Sequence, residues 1–194
     1  MNLKQKKNSK FGFTLVEVLI AILAGTLLLI VLYSVYVVNS KSYRKTINQQ
    51  ELAQNARISL ERMSRDLRQT GRIITTLPPT ATDPLNPPPS NIQFQDGHET
   101  TLTQYIKYYL SGSDLRRQVI HYSFSADPGT WVAWNTQDQF GNPPTEHIDE
   151  DRIKADKINV LKFYGDKVIA IELQVTNGVD AFDFQTKIWG RNIQ

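Results

Sequence analysis

The sequence predicts an α+β chain in which a long N-terminal helix packs on a C-terminal antiparallel β-sheet. Residues 13–38 form an apolar run that carries a single charge, Glu17. Residues 39–72 continue without proline, with apolar side chains at helical spacing. From Gln104 onward, apolar and polar residues alternate in short runs divided by glycine-bearing turns. The chain thus divides into a basic leader (1–12), a long helix (13–72) and a globular α+β domain (73–194).

The apolar run is long enough to cross a membrane. At 1.5 Å of rise per residue, residues 13–38 span about 39 Å as a helix, and a bilayer core needs about 20 residues. A cleaved secretory signal fits poorly, because its apolar core is about 7–15 residues and ends in small residues. Tyr33 to Asn39 offers no such site. A plain membrane anchor stays open on composition alone. Glu17 argues for something more, since a carboxylate inside an apolar span is costly and usually has a partner or a task. The bland alternative puts it near the interface, within reach of water.

Charge is concentrated at one end. Lys4, Lys6, Lys7 and Lys10 precede Gly12 with no acid among them, and the rest of the chain carries 18 basic against 19 acidic side chains. The basic character belongs to the leader and gives no reason to expect nucleic-acid binding by the domain. Arg57, Arg62, Arg65, Arg68 and Arg72 would matter to DNA only as one face. They are interspersed with Glu61 and Asp66 around the helix, and a solvated surface is the preferred reading.

Beyond the apolar run, Leu52, Ala56, Leu60, Met63 and Leu67 fall on one helical face, ready to hold a domain. Glu61 and Arg65 form an i,i+4 pair in the favourable order. Gly71 is expected to end the helix, which would then measure roughly 85 Å if continuous. Pro78–Pro89 excludes helix and central strand, and is expected to be a connector or a loop fixed against the domain.

In the domain, Gln104 to Phe124 reads as a hairpin turning at Ser111-Gly112-Ser113-Asp114. Ile106, Tyr108 and Leu110 share a face of its first arm, and Gln118, Ile120, Tyr122 and Phe124 a face of the second. Arg116 and Arg117 read as the polar start of a strand. Residues 125–152 read as irregular, with Trp131 and Trp134 covering the sheet edge. Ile158 to Phe163, Val168 to Thr176 and a last strand carrying Phe182, Phe184, Thr186 and Ile188 complete the sheet, with turns at Tyr164–Lys167 and Asn177-Gly178.

Nothing points to an enzyme. There is no cysteine, and His98, His121 and His147 have no metal-ligand spacing. Nucleophile, phosphate-loop and zinc motifs are absent. Asp149, Glu150, Asp151 and Asp156 raise calcium, but their spacing is not that of an EF-hand loop, and a solvated acidic loop is preferred. No cofactor is expected.

Lys10-Phe11-Gly12-Phe13-Thr14-Leu15-Val16-Glu17 resembles the processing motif of type IV prepilins. The match covers the short basic leader, the glycine, the aromatic residue after it, the glutamate and the apolar helix. The resemblance implies a pilin fold and cleavage between Gly12 and Phe13 by a prepilin peptidase, which also N-methylates Phe13. It implies that Glu17 sets filament register against a neighbour's Phe13 amine. It also implies a single pass through the bacterial inner membrane with the leader in the cytoplasm. Lysine counts favour that orientation only narrowly, because Lys41, Arg44 and Lys45 flank the far end.

The implied partners are the peptidase/methyltransferase, other pilins or pseudopilins, an inner-membrane assembly platform, and lipid before assembly. The destination is a periplasmic or extracellular filament. Asn55, Ala56, Arg57, Arg65, Asp66, Leu67, Arg68 and Gly71 also resemble the helix of PilW-type minor pilins and of J-type pseudopilins of type II secretion. The hairpin is similar to the Y-x-L…L-x-R hairpin of those proteins, and Gly190-Arg191-Asn192 to their terminal tract. The leading expectation is a minor pilin. A J-type pseudopilin is the alternative, and a membrane-anchored extracytoplasmic binding module that never polymerises is the third.

Overall fold

The computed structural model describes residues 13–97 and 103–189. The chain forms two compact units, residues 1–47 and 48–194. One helix, α1 (Leu15–Gln69), contributes to both.

In the first unit α1 is apolar all round and its side chains are exposed. An 18-residue window reaches a mean hydropathy of 2.9 with none of it buried, so this helix is long and apolar enough to cross a membrane. A helix apolar on every side belongs in a protein core or in lipid, and here no core covers it. Two hydroxyls within the apolar stretch are satisfied by the helix's own backbone, as an apolar medium requires. Thr26 Oγ1 donates to the carbonyl of Leu23 (2.8 Å) and Ser34 Oγ to that of Ile30 (2.9 Å).

In the second unit the expected stripe is the seam of the core. Leu52, Ala56, Leu60, Met63 and Leu67 are all buried, and Glu61 meets Arg65 at 3.2 Å. They pack against two antiparallel sheets rather than the single sheet expected. The larger has five strands, β1 (Asn91–Gln95), β2 (Gln104–Ser111), β3 (Asp114–Phe124), β4 (Asp127–Val132) and β5 (Thr145–Ala155). It runs β1-β2-β3-β4, with β5 also paired to β3. The smaller sheet runs β6 (Ile158–Tyr164), β7 (Val168–Thr176), β8 (Ala181–Trp189). Ile169, Ile171, Leu173 and Val175 of β7 are buried, as their alternation predicts.

The β2–β3 hairpin closes where expected, with Ser111 opposite Asp114 and Gly112 at φ 63. Gly165, between β6 and β7, holds φ 115, and an added Cβ would lie 2.0 Å from the carbonyl oxygen of Val168, so only glycine fits. Pro78–Pro89 is a fixed loop: the carbonyl of Pro78 accepts from Gly165 N (2.8 Å) and that of Pro89 from Phe163 N (3.1 Å).

Two further expectations are corrected. Residues 125–152 are not irregular, because they contain β4 and most of β5. β5 is exposed along most of its length, so it lacks the alternation that marks a strand, and its structure comes from pairing with β3. Gly71 is not a left-handed helix cap, since α1 ends at Gln69 and Gly71 is not among the glycines of positive φ. The end is fixed by buried Thr70, whose hydroxyl donates to the carbonyl of Gln95 (2.7 Å) and accepts from Arg72 N (3.2 Å). Gly97 closes on the same point: a Cβ there would stand 1.7 Å from the carbonyl oxygen of Gln69.

Arg117 lies in the polar start of β3, as expected, and the structure adds a partner for it. It turns inward, and its Nε donates to Asp66 Oδ2 (3.0 Å), which also accepts from the hydroxyl of buried Tyr108 (2.8 Å). Burial, then the Asp66 carboxylate, pushes the Tyr108 phenol well above its ordinary pKa, so it remains a hydrogen-bond donor. This cluster ties α1 to β2 and β3. Losing one partner of a buried ion pair strands the other, at a cost of about 3–5 kcal/mol. Asp66→Ala is therefore expected to destabilise residues 48–194 by that order in chemical denaturation. Arg117→Met strands the Asp66 carboxylate in turn, with only the Tyr108 hydroxyl left to donate to it, so it is expected to cost a comparable amount, and the double variant Asp66→Ala/Arg117→Met should cost less than the sum of the two.

Candidate functional site

The start of α1 follows from its sequence. Thr14 precedes the first helical residue and Glu17 lies three positions on, the pattern of a capping box. Glu17 Oε2 accepts from the Thr14 backbone N–H (3.0 Å) and from Thr14 Oγ1 (3.2 Å), while Thr14 Oγ1 accepts from the Glu17 N–H (3.3 Å). Two orphan amides of the first turn are thereby satisfied, and an acid sits at the positive end of the helix dipole. The T-x-x-E spacing is the sequence signal for this box, which the sequence reading of Glu17 as a lone charge does not include.

Phe13 lies just outside the helix and is 86% exposed. Gly12 and the lysines of the leader lie outside the described residues, so the structure gives no geometry for the Gly12–Phe13 bond. Phe13 and Glu17 stand at one end of α1, followed by the apolar surface of the first unit. The described part of the site is an exposed aromatic residue followed one turn later by a carboxylate held by Thr14.

Residues 7–33 match the prokaryotic N-terminal methylation motif. The N-terminal segment is similar to that of type IV pilin-like proteins. This motif implies processing by a prepilin peptidase and assembly with other pilins, and with the apolar helix it is consistent with membrane anchoring. The long helix on antiparallel sheets gives the chain a pilin-like α+β architecture. The comparison with curated proteins returns no match.

The remaining sequence candidates do not converge. Asp149 meets His121 Nδ1 (2.8 Å), Glu150 meets Arg152 (3.0 Å), Asp151 meets Arg116 (2.9 Å), and Asp156 accepts from the Asn55 amide (3.1 Å). The hydrogen bond from Arg116 holds the Asp151 carboxyl below its ordinary pKa. No group of three potential ligands gathers for a metal among the described residues. Trp131 stacks on His121 (centroids 4.5 Å apart), and His121 on His147 (5.0 Å), so Trp131 packs on the sheet as expected. Trp134 is 37% exposed. The five arginines from Arg57 to Arg72 are exposed. His98 and Gly190-Arg191-Asn192 lie outside the described residues.

Proposed function

We propose that this pilin-like chain is a structural, non-enzymatic subunit of a type IV pilus-like filament, of the minor-pilin kind, assembled through α1 after cleavage between Gly12 and Phe13. The observation that carries the reading is the match to the methylation motif over residues 7–33, continuous with a helix apolar on every side. Before assembly lipid covers that helix, as a single pass through the inner membrane with the leader in the cytoplasm. Afterwards the helices of neighbouring subunits cover it, in a periplasmic or extracellular filament on an inner-membrane assembly platform. The apolar surface is the same in both states, so transfer between them costs little.

Glu17 gives direction to the packing. Cleavage creates a cationic amine at Phe13, and a neighbour's Glu17 is the carboxylate that pairs with it. In the free subunit that carboxylate accepts from the Thr14 amide and hydroxyl, bonds charged on the acceptor side alone, whereas the Phe13 amine brings a charge on the donor side as well. The filament-subunit reading also draws on the Asn55–Gly71 tract, whose resemblance is to PilW-type minor pilins and J-type pseudopilins alike. Its support is that Asp66 of that tract meets Tyr108 and Arg117, which occupy the Y-x-L and L-x-R positions of the hairpin.

The test is the mass of protein extracted from membranes of cells with an active prepilin peptidase. The expected N-terminal peptide begins at Phe13 and carries one methyl group. A product retaining Lys4 to Gly12 overturns the reading.

A further inference from the structure

No acid lies between Glu17 and Glu51, whereas Lys41, Arg44 and Lys45 follow closely on the apolar run. Lys41 and Arg44 are exposed and meet no carboxylate among the described residues. Lys45 has an interaction of its own within the chain, so the two unengaged cations are Lys41 and Arg44. Around them stand Tyr33, Tyr36 and Tyr43, each 69–70% exposed. These tyrosines and Arg44 fall on one face of α1 at helical spacing.

Helix rise sets their depth. From Glu17 to Tyr36 α1 rises about 28 Å, close to the roughly 30 Å of a bilayer's hydrocarbon core. With Glu17 at one boundary, Tyr33 and Tyr36 reach the other, where tyrosines collect. The backbone of Lys41 is then about 8 Å further on and that of Arg44 about 12 Å. The headgroup layer is about 5–7 Å thick. Side chains in a helix lean toward its N-terminus, here the lipid side. Both cations therefore reach back to the depth of the lipid phosphates, their apolar stems lying along the hydrocarbon.

Solubility alone does not account for this pair. With the leader in the cytoplasm, Lys41 and Arg44 lie outside and narrow the charge bias that orients the span. Asn39, Ser40 and Ser42 of the same turns are polar without that drawback. Two unpaired cations at phosphate depth, on a helix surface without an acid, have an anion as their complement.

We infer that Lys41 and Arg44 form a binding site for anionic phospholipid headgroups on the outer surface of the inner membrane, with Tyr36 and Tyr43 beside it. The inference rests on the membrane-anchored state of the proposed function and names the lipid for it. Phosphate oxygens accept from the Arg44 guanidinium fork and from the Lys41 ammonium. The contact belongs to the subunit before assembly and is given up when α1 leaves lipid.

The test uses the full-length chain carrying Lys4→Gln, Lys6→Gln, Lys7→Gln and Lys10→Gln, so that the leader side chains add no charge. It is reconstituted into phosphatidylcholine vesicles containing spin-labelled phosphatidylglycerol or spin-labelled phosphatidylcholine. Electron paramagnetic resonance reads the fraction of each labelled lipid held at the protein. Phosphatidylglycerol is expected to be held at least about threefold more strongly than phosphatidylcholine, with the preference lost at high salt. Lys41→Gln/Arg44→Gln should abolish the preference and Lys41→Glu/Arg44→Glu should reverse it. Both positions are exposed, and glutamine and glutamate are good helix formers, so α1 survives these changes. Incorporation without a preference, or a preference that the glutamine pair leaves unchanged, overturns the headgroup site and leaves the membrane reading intact. A chain that stays outside the vesicles on flotation overturns both.

Discussion

A fragment beginning near Tyr43 is expected to be a folded monomer, whereas one beginning at Thr75 aggregates or melts roughly 20 °C or more lower. The second fragment loses Leu52, Leu60, Met63 and Leu67, each buried against the sheets. At about 1.5–3 kcal/mol per large apolar side chain, their burial contributes roughly 6–12 kcal/mol. A domain of this size has a net stability of about 5–15 kcal/mol, so the loss is of the same order as the whole. The fragment also loses Asp66, which leaves Arg117 and Tyr108 without their buried acceptor, and Thr70, which holds the carbonyl of Gln95. Thermal unfolding of the two fragments measures the difference. Equal midpoints would show that α1 contributes nothing to the core.

The parts legible in the sequence were those where one periodicity ran without competition. The 3.6-residue stripe from Leu52 to Leu67 and the alternation from Ile169 to Val175 each face a single buried surface, and both are buried as read. The helix was legible from Thr14 onward because nothing interrupts it before Gln69. The misses have a different physical origin. β5 is a strand made by its neighbour, with His121 against His147 and Gln118 against Asp151 across the pair, and no local pattern encodes that. β1 is five residues long, too short to stand out beside a proline-rich loop. Arg117 is at the polar start of a strand as read, but its inward pairing was not legible because its partner lies 51 positions away. Gly97 has no local signature at all: its need for glycine comes from the carbonyl of Gln69, brought to it by the fold. At the candidate site the residue types were legible and the Thr14–Glu17 box was available to be read. Gly12 lies outside the described residues, and its role belongs to the proposed processing.

Glu17→Ala is expected to leave membrane insertion and cleavage after Gly12 largely intact while assembly fails. Insertion survives because the substitution removes the single charge from an apolar span, and cleavage because the residue lies beyond the cut. Assembly fails because the Phe13 amine of a neighbour then has no counter-charge in an apolar surround, a loss of about 3–5 kcal/mol, or more than a hundredfold in a contact equilibrium. The capping box complicates this variant. Alanine also removes the acceptor for the Thr14 amide, and a lost cap costs about 0.5–2 kcal/mol, enough to fray the first turn where Phe13 must be held. Glu17→Gln separates the two effects, since glutamine serves the capping box as glutamate does but carries no charge. If charge pairing sets the register, glutamine assembles nearly as poorly as alanine. If the cap is what matters, glutamine assembles normally and Thr14→Ala fails instead. The measurement is paired: mature protein in the inner membrane, and the same protein in sheared filaments or crosslinked to sister pilins. Normal recovery of Glu17→Gln in both fractions would overturn the register role. A complete loss marks a subunit within the shaft, where each Glu17 faces an amine. A partial loss marks one near the tip, where no subunit stands above to present one.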